Sequence, residues 1–427
     1  TASNNTAIGY QALLANTTGT DNTAVGSIAM DANTTGSNNS AFGRSSLGAN
    51  TTGQYNCAFG QSSLGNNTTA NNNVAFGNEA LGANTTGASN TAVGRDSLKL
   101  ITTGQECTAV GHNALRNNTA SEITAVGYRA LISNTTGLYN TAVGTIALEG
   151  NSTSNNNTAV GYKALYANTA GTQNTAVGSF AADAITTGGR NTAVGQGALT
   201  VATTGSNNTA FGAAALHLQT TANDNTAVGA NALYATTTGA NNVGVGCSAL
   251  KANTTGANNT AVGTRSLLAC TTGGTNVAMG HEALKAVTTG GGNVAIGYAA
   301  AFGITTHSNN VAIGKNTLYN NGTKECIVVG NSAGGWNAAD GIIAIGHEAL
   351  ASNTTGAGNL AIGHQAMDAC TSGAQYNVGI GASALGKCTT GDSNTAIGYN
   401  AMLELTTGQQ NTAVGRYAGD AITTGQY

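Results

Sequence analysis

A glycine closes a small alternating triplet at Gly9, Gly26, Gly43 and Gly60, and it keeps returning as far as Gly415, which makes 25 units. The spacing is 17 residues almost throughout. It is 16 into Gly127, Gly330 and Gly346, and 18 into Gly381. A fixed short period means one small structural unit written many times, with each copy too small to bury a core alone. Counting every unit from this index glycine turns the chain into columns.

The residue before the glycine is large and apolar, as in Val25, Phe42, Val93, Phe211, Met279 and Ile313. Two before it stands Ala, as in Ala24, with Gly244, Gly379 and Val328 as exceptions. Three before it stands Thr or Val, as in Val311 ahead of Gly314. Period-two alternation of this kind reads as a short strand. A small residue follows the glycine by three and, in most units, Leu or Met by four, as in Leu47. A helical solenoid fails on composition, since two glycines in 17 residues would break each helix. The fold class expected is therefore all-β: a parallel β-solenoid of about 25 coils of 17 residues, continuous over residues 1–427. Coils stacked about 4.8 Å apart would make a rod on the order of 120 Å long.

Two further columns shape the expectation. The "NTTG" stretch ends in Gly36 and its equivalents, read here as turn glycines at positive φ, so that each unit has two short strands joined by two turns. Seven after the index glycine stands Asn, as in Asn33, replaced elsewhere by Ile101, Ile185 or Cys270. Exchange of Asn with aliphatics points inward, to a ladder of stacked amides. The Ala/Gly side of the strand reads as a flat strip of small residues open to another backbone. A homo-oligomer packed on that strip is expected, a trimer, with an end-to-end filament as the alternative.

Composition excludes several classes. Net charge is −3, so no electrostatic footprint for nucleic acid exists. No apolar run reaches the roughly 18–20 residues of a membrane-spanning helix. Proline is absent, as expected where every strand has neighbours on both sides. The chain begins and ends part-way through a repeat and is read as a segment of a longer protein.

The stretches "NNVAIG" at Asn309–Gly314 and "GNVAIG" at Gly292–Gly297 resemble the repeat of the YadA-like head domain in trimeric autotransporter adhesins. The longer unit with its "NTTG" turn is similar to repeats of bacteriophage tail fibres. The resemblance covers essentially the whole chain, although most units carry Thr where the adhesin repeat has Val. It implies a left-handed β-roll, a homotrimeric rod, and an extracellular, cell-surface or virion-surface location.

A catalytic site is not legible: no nucleophile, base and orienting group can be assembled, so the chain is read as a non-enzyme with no cofactor and no metal. Seven cysteines lack zinc spacing. Cys370 and Cys388 hold the same position in successive coils, compatible with a disulfide or with adjacent free thiols. His347 and His364 likewise follow successive index glycines, in a column that also holds Tyr10, Arg44 and Lys315. The least regular stretch is 314–346, with two 16-residue steps and the only Trp. It reads either as a binding patch of Tyr319, Lys324, Trp336 and Asp340, or as a tighter section or bend. Three functions compete: a structural fibre that presents surfaces to a host or glycan, an ice-binding solenoid using Thr ladders such as Thr17-Thr18, and a solenoid lyase, for which the chain is too poor in charge.

Overall fold

The computed structural model describes residues 2–319, 323–371 and 373–426. The chain divides into two compact units, Thr1–Ala213 and Ala214–Tyr427. Each is a parallel β-solenoid. The first unit carries the strands from Thr6–Ile8 to Thr209–Phe211, and the second those from Thr226–Val228 to Thr412–Val414. Within a unit every strand pairs in parallel with the next, in register, so that Thr23 faces Ser40, Ala24 faces Ala41 and Val25 faces Phe42. Among the described residues there is no helix.

Each coil holds one strand of three residues, not two; the rest is turn. The reason lies in the backbone. Past the strand, the second and fourth residues after the glycine both sit in the left-handed region, as Ser45 (φ 56°) and Leu47 (φ 50°) do. A left-handed residue costs an L-amino acid roughly 1–2 kcal/mol, and two in alternation prevent any extended run. The stack repays this through hydrogen bonds: Leu47 N–H donates to Ser63 O of the next coil at 3.0 Å, and Asn50 N–H to Leu47 O at 3.1 Å. A third left-handed position precedes the buried residue before each strand, usually Asn. It takes Asn in many coils, such as Asn38 and Asn258, because Asn tolerates that conformation.

Positive φ belongs to the index glycine, not to the "NTTG" glycine. Gly26 has φ 139° and Gly263 has 129°, whereas Gly36 and Gly256 are not at positive φ. Gly36 is needed for another reason: a Cβ there would run into the carbonyl of Gly53 and the Asn33 amide. The index glycine has both needs, since a Cβ on Gly26 would stand 2.5 Å from Gly43 O.

The inside of the coil reverses one sequence expectation. Ala24, Ala41 and Ala58 are fully buried, so the Ala/Gly side of the strand faces the core and is not an open strip. Leu47 and its equivalents close the core from the opposite wall. Opposite a Leu or Met there is room for a methyl at most, and in two coils for less. A Cβ at Gly379 would lie 2.8 Å from Met367 Cγ, and one at Gly244 would lie 3.2 Å from Leu233 Cγ. The larger residues point outward: Val25 is half-buried, and Phe76, Phe211 and Ile313 are exposed. Phe42, Phe59 and Phe76 stack on this outer face with centroids 4.4 and 4.7 Å apart.

Asn33 is fully buried, as the ladder requires. Its Nδ2 donates to Asn16 Oδ1 at 3.0 Å and to Gly36 O at 3.0 Å, and Asn50 Nδ2 donates to Asn33 Oδ1 at 2.8 Å. A second ladder, not anticipated, runs through the Asn before most strands, interrupted at Cys107, Ile123, Cys326 and Ile342. Asn39 N–H donates to Asn22 Oδ1 at 3.0 Å, and Asn39 Nδ2 donates to Gly53 O at 2.8 Å. These bonds satisfy amides that would otherwise be costly to bury. The two consecutive threonines divide: the Thr34 hydroxyl donates to Thr51 O at 3.0 Å, while Thr35 is exposed.

Candidate binding trough

The fifth residue after the index glycine points along the outer wall, one residue past the buried Leu. In most coils it is a sizeable side chain, such as Lys285, Phe302 and Tyr319. The Phe302 and Tyr319 rings stack coil on coil, with centroids 5.0 Å apart and planes 9° apart. The next two coils carry Gly335 and Ala351 at this position, and the one after carries Asp368. The missing side chains open a trough of about 430 Å³, with Tyr319 and Asp368 in its lining. Glu348 and Trp336 also line it. Trp336 is 62% exposed, so its indole meets solvent.

Electrostatics in the trough are set by two carboxyls. Gln365 Nε2 donates to Glu348 Oε2 at 2.9 Å, and His347 Nδ1 lies 3.7 Å from the same oxygen. Burial pushes the Asp368 carboxyl above its ordinary range, partly opposed by its own N–H and that of Ala369. Among the described residues no Lys or Arg lines the trough. A volume of this size falls in the range of small-molecule sites, roughly 300–1,000 Å³.

The same column makes a second hollow in the first unit. There Gly65 and Gly82 open about 340 Å³, with Glu79 and Lys99 in the lining. This one is spanned by its own charges, since Lys99 pairs with Glu79 and lies 3.1 Å from Asp96. The Tyr319 trough has no such strap.

The expected patch is thus split. Tyr319 and Trp336 line one trough. Lys324 and Asp340 lie apart from it, in a column just past the tight turn, where Asp340 Oδ1 accepts from Lys324 N–H at 3.0 Å and the charged ends are 4.0 Å apart. Glu348, Asp368 and the Gly335–Ala351 gap were missed. Their signal was present as a run of small residues at one repeat position, visible only once that position is known to face outward.

Cys370 and Cys388 are free, buried thiols in the amide-ladder column. A hydrogen bond to Cys388, together with burial, holds the Cys370 thiol well above its ordinary range. Cysteine here replaces Asn as a donor: Cys270 Sγ lies 3.4 Å from Gly273 O, the counterpart of the Asn33 bond to Gly36. His347 and His364 stack with centroids 5.2 Å apart on the outer wall. Among the described residues no three His, Cys, Asp or Glu side chains gather where they could hold a metal ion. Among them, too, no helix is long and apolar enough to cross a membrane. No protein-family model matches the chain, and no curated protein sequence matches it.

Proposed function

We propose that the chain is a non-enzymatic structural segment of an extracellular or virion-surface fibre, similar to an adhesin head or shaft or a phage tail fibre. Identical chains, three in number, associate through the outer face of the strands. That fibre presents its side walls for attachment to a host surface or glycan. The observation that carries the reading is the outer strand face. Val93, Phe211, Met279, Ile296 and Ile313 remain between 37% and 55% exposed in a single chain. Monomeric soluble proteins rarely leave contiguous apolar patches beyond a few hundred Å² in water, and one apolar side chain per coil is more than a solitary chain would leave open.

The face differs from the one the sequence suggested. The interface is the Val/Ile/Phe column, because the Ala column is spent inside the coil. Ice binding is not put forward. It calls for paired outward threonines, and the first hydroxyl of most pairs is engaged by the next coil's carbonyl.

Light scattering on the native chain tests the reading. A mass near three times 41.8 kDa is expected. Replacing Ile296 and Ile313 by Lys should lower that mass while leaving the far-ultraviolet spectrum of the coils intact. A monomer with the unmodified sequence overturns the proposal.

A further inference from the structure

We infer that the Tyr319 trough binds a pyranose ring of a non-anionic saccharide. The inference rests on the reading of the chain as a presenting scaffold and names the ligand for one of its walls. Phe302 and Tyr319 form a two-ring stack whose period is that of the coils. Phe302 covers one face of Tyr319. On the other side the next coil supplies Gly335 and no ring. The stack therefore ends in a slot for one more flat ring, bounded further along by Asp368, with Trp336 offering a second apolar surface in the same trough.

The polar groups choose among flat rings. Glu348 and Asp368 are acceptors, and Asn316, Ser332 and Ser352 add short polar side chains. With no Lys or Arg among the described lining residues, a sulfated or carboxylated sugar would meet two carboxyls and no permanent cation. A plain aromatic ligand would fill the slot and cover those carboxyls without donating to them, which is unfavourable. A small cation would satisfy the carboxyls and leave the slot unfilled. A pyranose does both: its C–H face lies on an aromatic ring, and its hydroxyls donate outward. Aromatic surface with a few fixed polar groups is the general make-up of a small-ligand site.

Trp336 is the only tryptophan, so its fluorescence reports on the trough alone. The full chain is titrated with methyl glycosides of glucose, galactose and mannose, with N-acetylglucosamine, with glucuronic acid, and with choline. A saturable change with at least one neutral hexose, and none with glucuronic acid, is expected. Gly335→Phe completes the stack from within the chain. It is tolerated because Gly335 is not at positive φ and a Cβ there meets Ser332 O at 3.4 Å and Ala351 O at 3.6 Å. Ala351→Leu plugs the same slot from the next coil. Each should weaken the saccharide response at least about tenfold, or roughly 1.4 kcal/mol, with the thermal midpoint retained. The inference is overturned if no hexose perturbs Trp336 up to its solubility, if choline saturates where hexoses do not, or if both plugged variants respond like the parent. A trimer that ignores hexoses sinks this inference alone, whereas a monomer that binds them sinks the fibre alone.

Discussion

Val328 and Gly334 have exchanged volumes. In other coils the strand's inward residue is Ala or Gly, and the opposite wall carries Leu, Met or Ala in all but the last, which carries Gly419. Here the strand carries Val328, fully buried, and the wall carries Gly334. A Cβ on Gly334 would stand 3.3 Å from Val328 Cγ1. The backbone does not register the exchange, for Gly334 has φ 54° where Leu318 has 48° and Leu350 has 50°.

A double-mutant cycle should expose this trade. Val328→Ala alone leaves a void and should cost about 1–2 kcal/mol. Gly334→Leu alone overpacks against Val328 and should cost about 1–3 kcal/mol. The double variant restores the ordinary coil and should lie near the parent, giving a favourable coupling of about 2–5 kcal/mol in urea unfolding. Additive losses would show that the two residues do not share one space.

The amide ladder has ends, and several of them leave an acceptor without a donor, although Asn353 Oδ1 at one end accepts from Gly356 N–H at 3.1 Å. Asn84 Oδ1 faces the coil of Ile101, and Asn168 Oδ1 faces that of Ile185; both are buried and unpaired. Ile101→Asn would join Asn84 to Asn118, which follows in the same column. Ile185→Asn only moves the end by one coil, because Ala202 follows. Both lose a buried aliphatic. An unpaired buried acceptor costs about 1–3 kcal/mol, so Ile101→Asn should be the milder change by about that amount in thermal or urea unfolding. Equal losses would mean that the ladder ends carry no penalty.

The index glycines combine two constraints that can be separated. Gly263 and Gly415 share φ near 130°, at 129° and 131°. A Cβ on Gly263 would stand 2.6 Å from Gly280 O, whereas on Gly415 its nearest neighbour is Ala418 Cβ at 3.8 Å. Backbone strain of about 1–3 kcal/mol applies to both Ala variants. The clash with the next coil applies only to Gly263→Ala, which should be the more destabilised by about 2 kcal/mol or more. Similar midpoints for the two variants would assign the whole effect to φ.

Buried thiols make stability fall at alkaline pH. Burial raises Cys107 and Cys270 from 9.0 to about 11. The folded state therefore holds its thiol protons in a window where the unfolded chain has released them. That stabilisation is complete below pH 9 and is lost as pH rises through 11, by roughly 2–3 kcal/mol for each thiol. Cys270→Ser should flatten the decline in proportion. Below pH 9, iodoacetamide should label the exposed Cys247 well before either. Unchanged stability between pH 9 and 11 would contradict the burial.

The repeat made the solenoid legible. A 17-residue period, an alternating triplet and glycines at two corners leave little else for the chain to be, and buried Asn33 was readable because Ile101 and Cys270 replace it. Two of the four patch residues, Tyr319 and Trp336, share a trough, and Lys324 and Asp340 do not, because coil geometry and not sequence distance decides which columns are neighbours.

Alternation alone establishes that Ala24 and Val25 lie on opposite faces of a strand, since successive side chains must point apart. It does not say which face closes on itself. That was decided by the return of Leu47 and its equivalents to the strand, held by left-handed turns that no propensity for Leu would suggest. Their bulk leaves room only for a methyl, so the larger side chains were turned outward and the apolar face became the exposed one. The trough follows from the same cause: Gly335 is an ordinary small residue in the sequence, and it became a slot only because its column lies on the outer wall beside Tyr319.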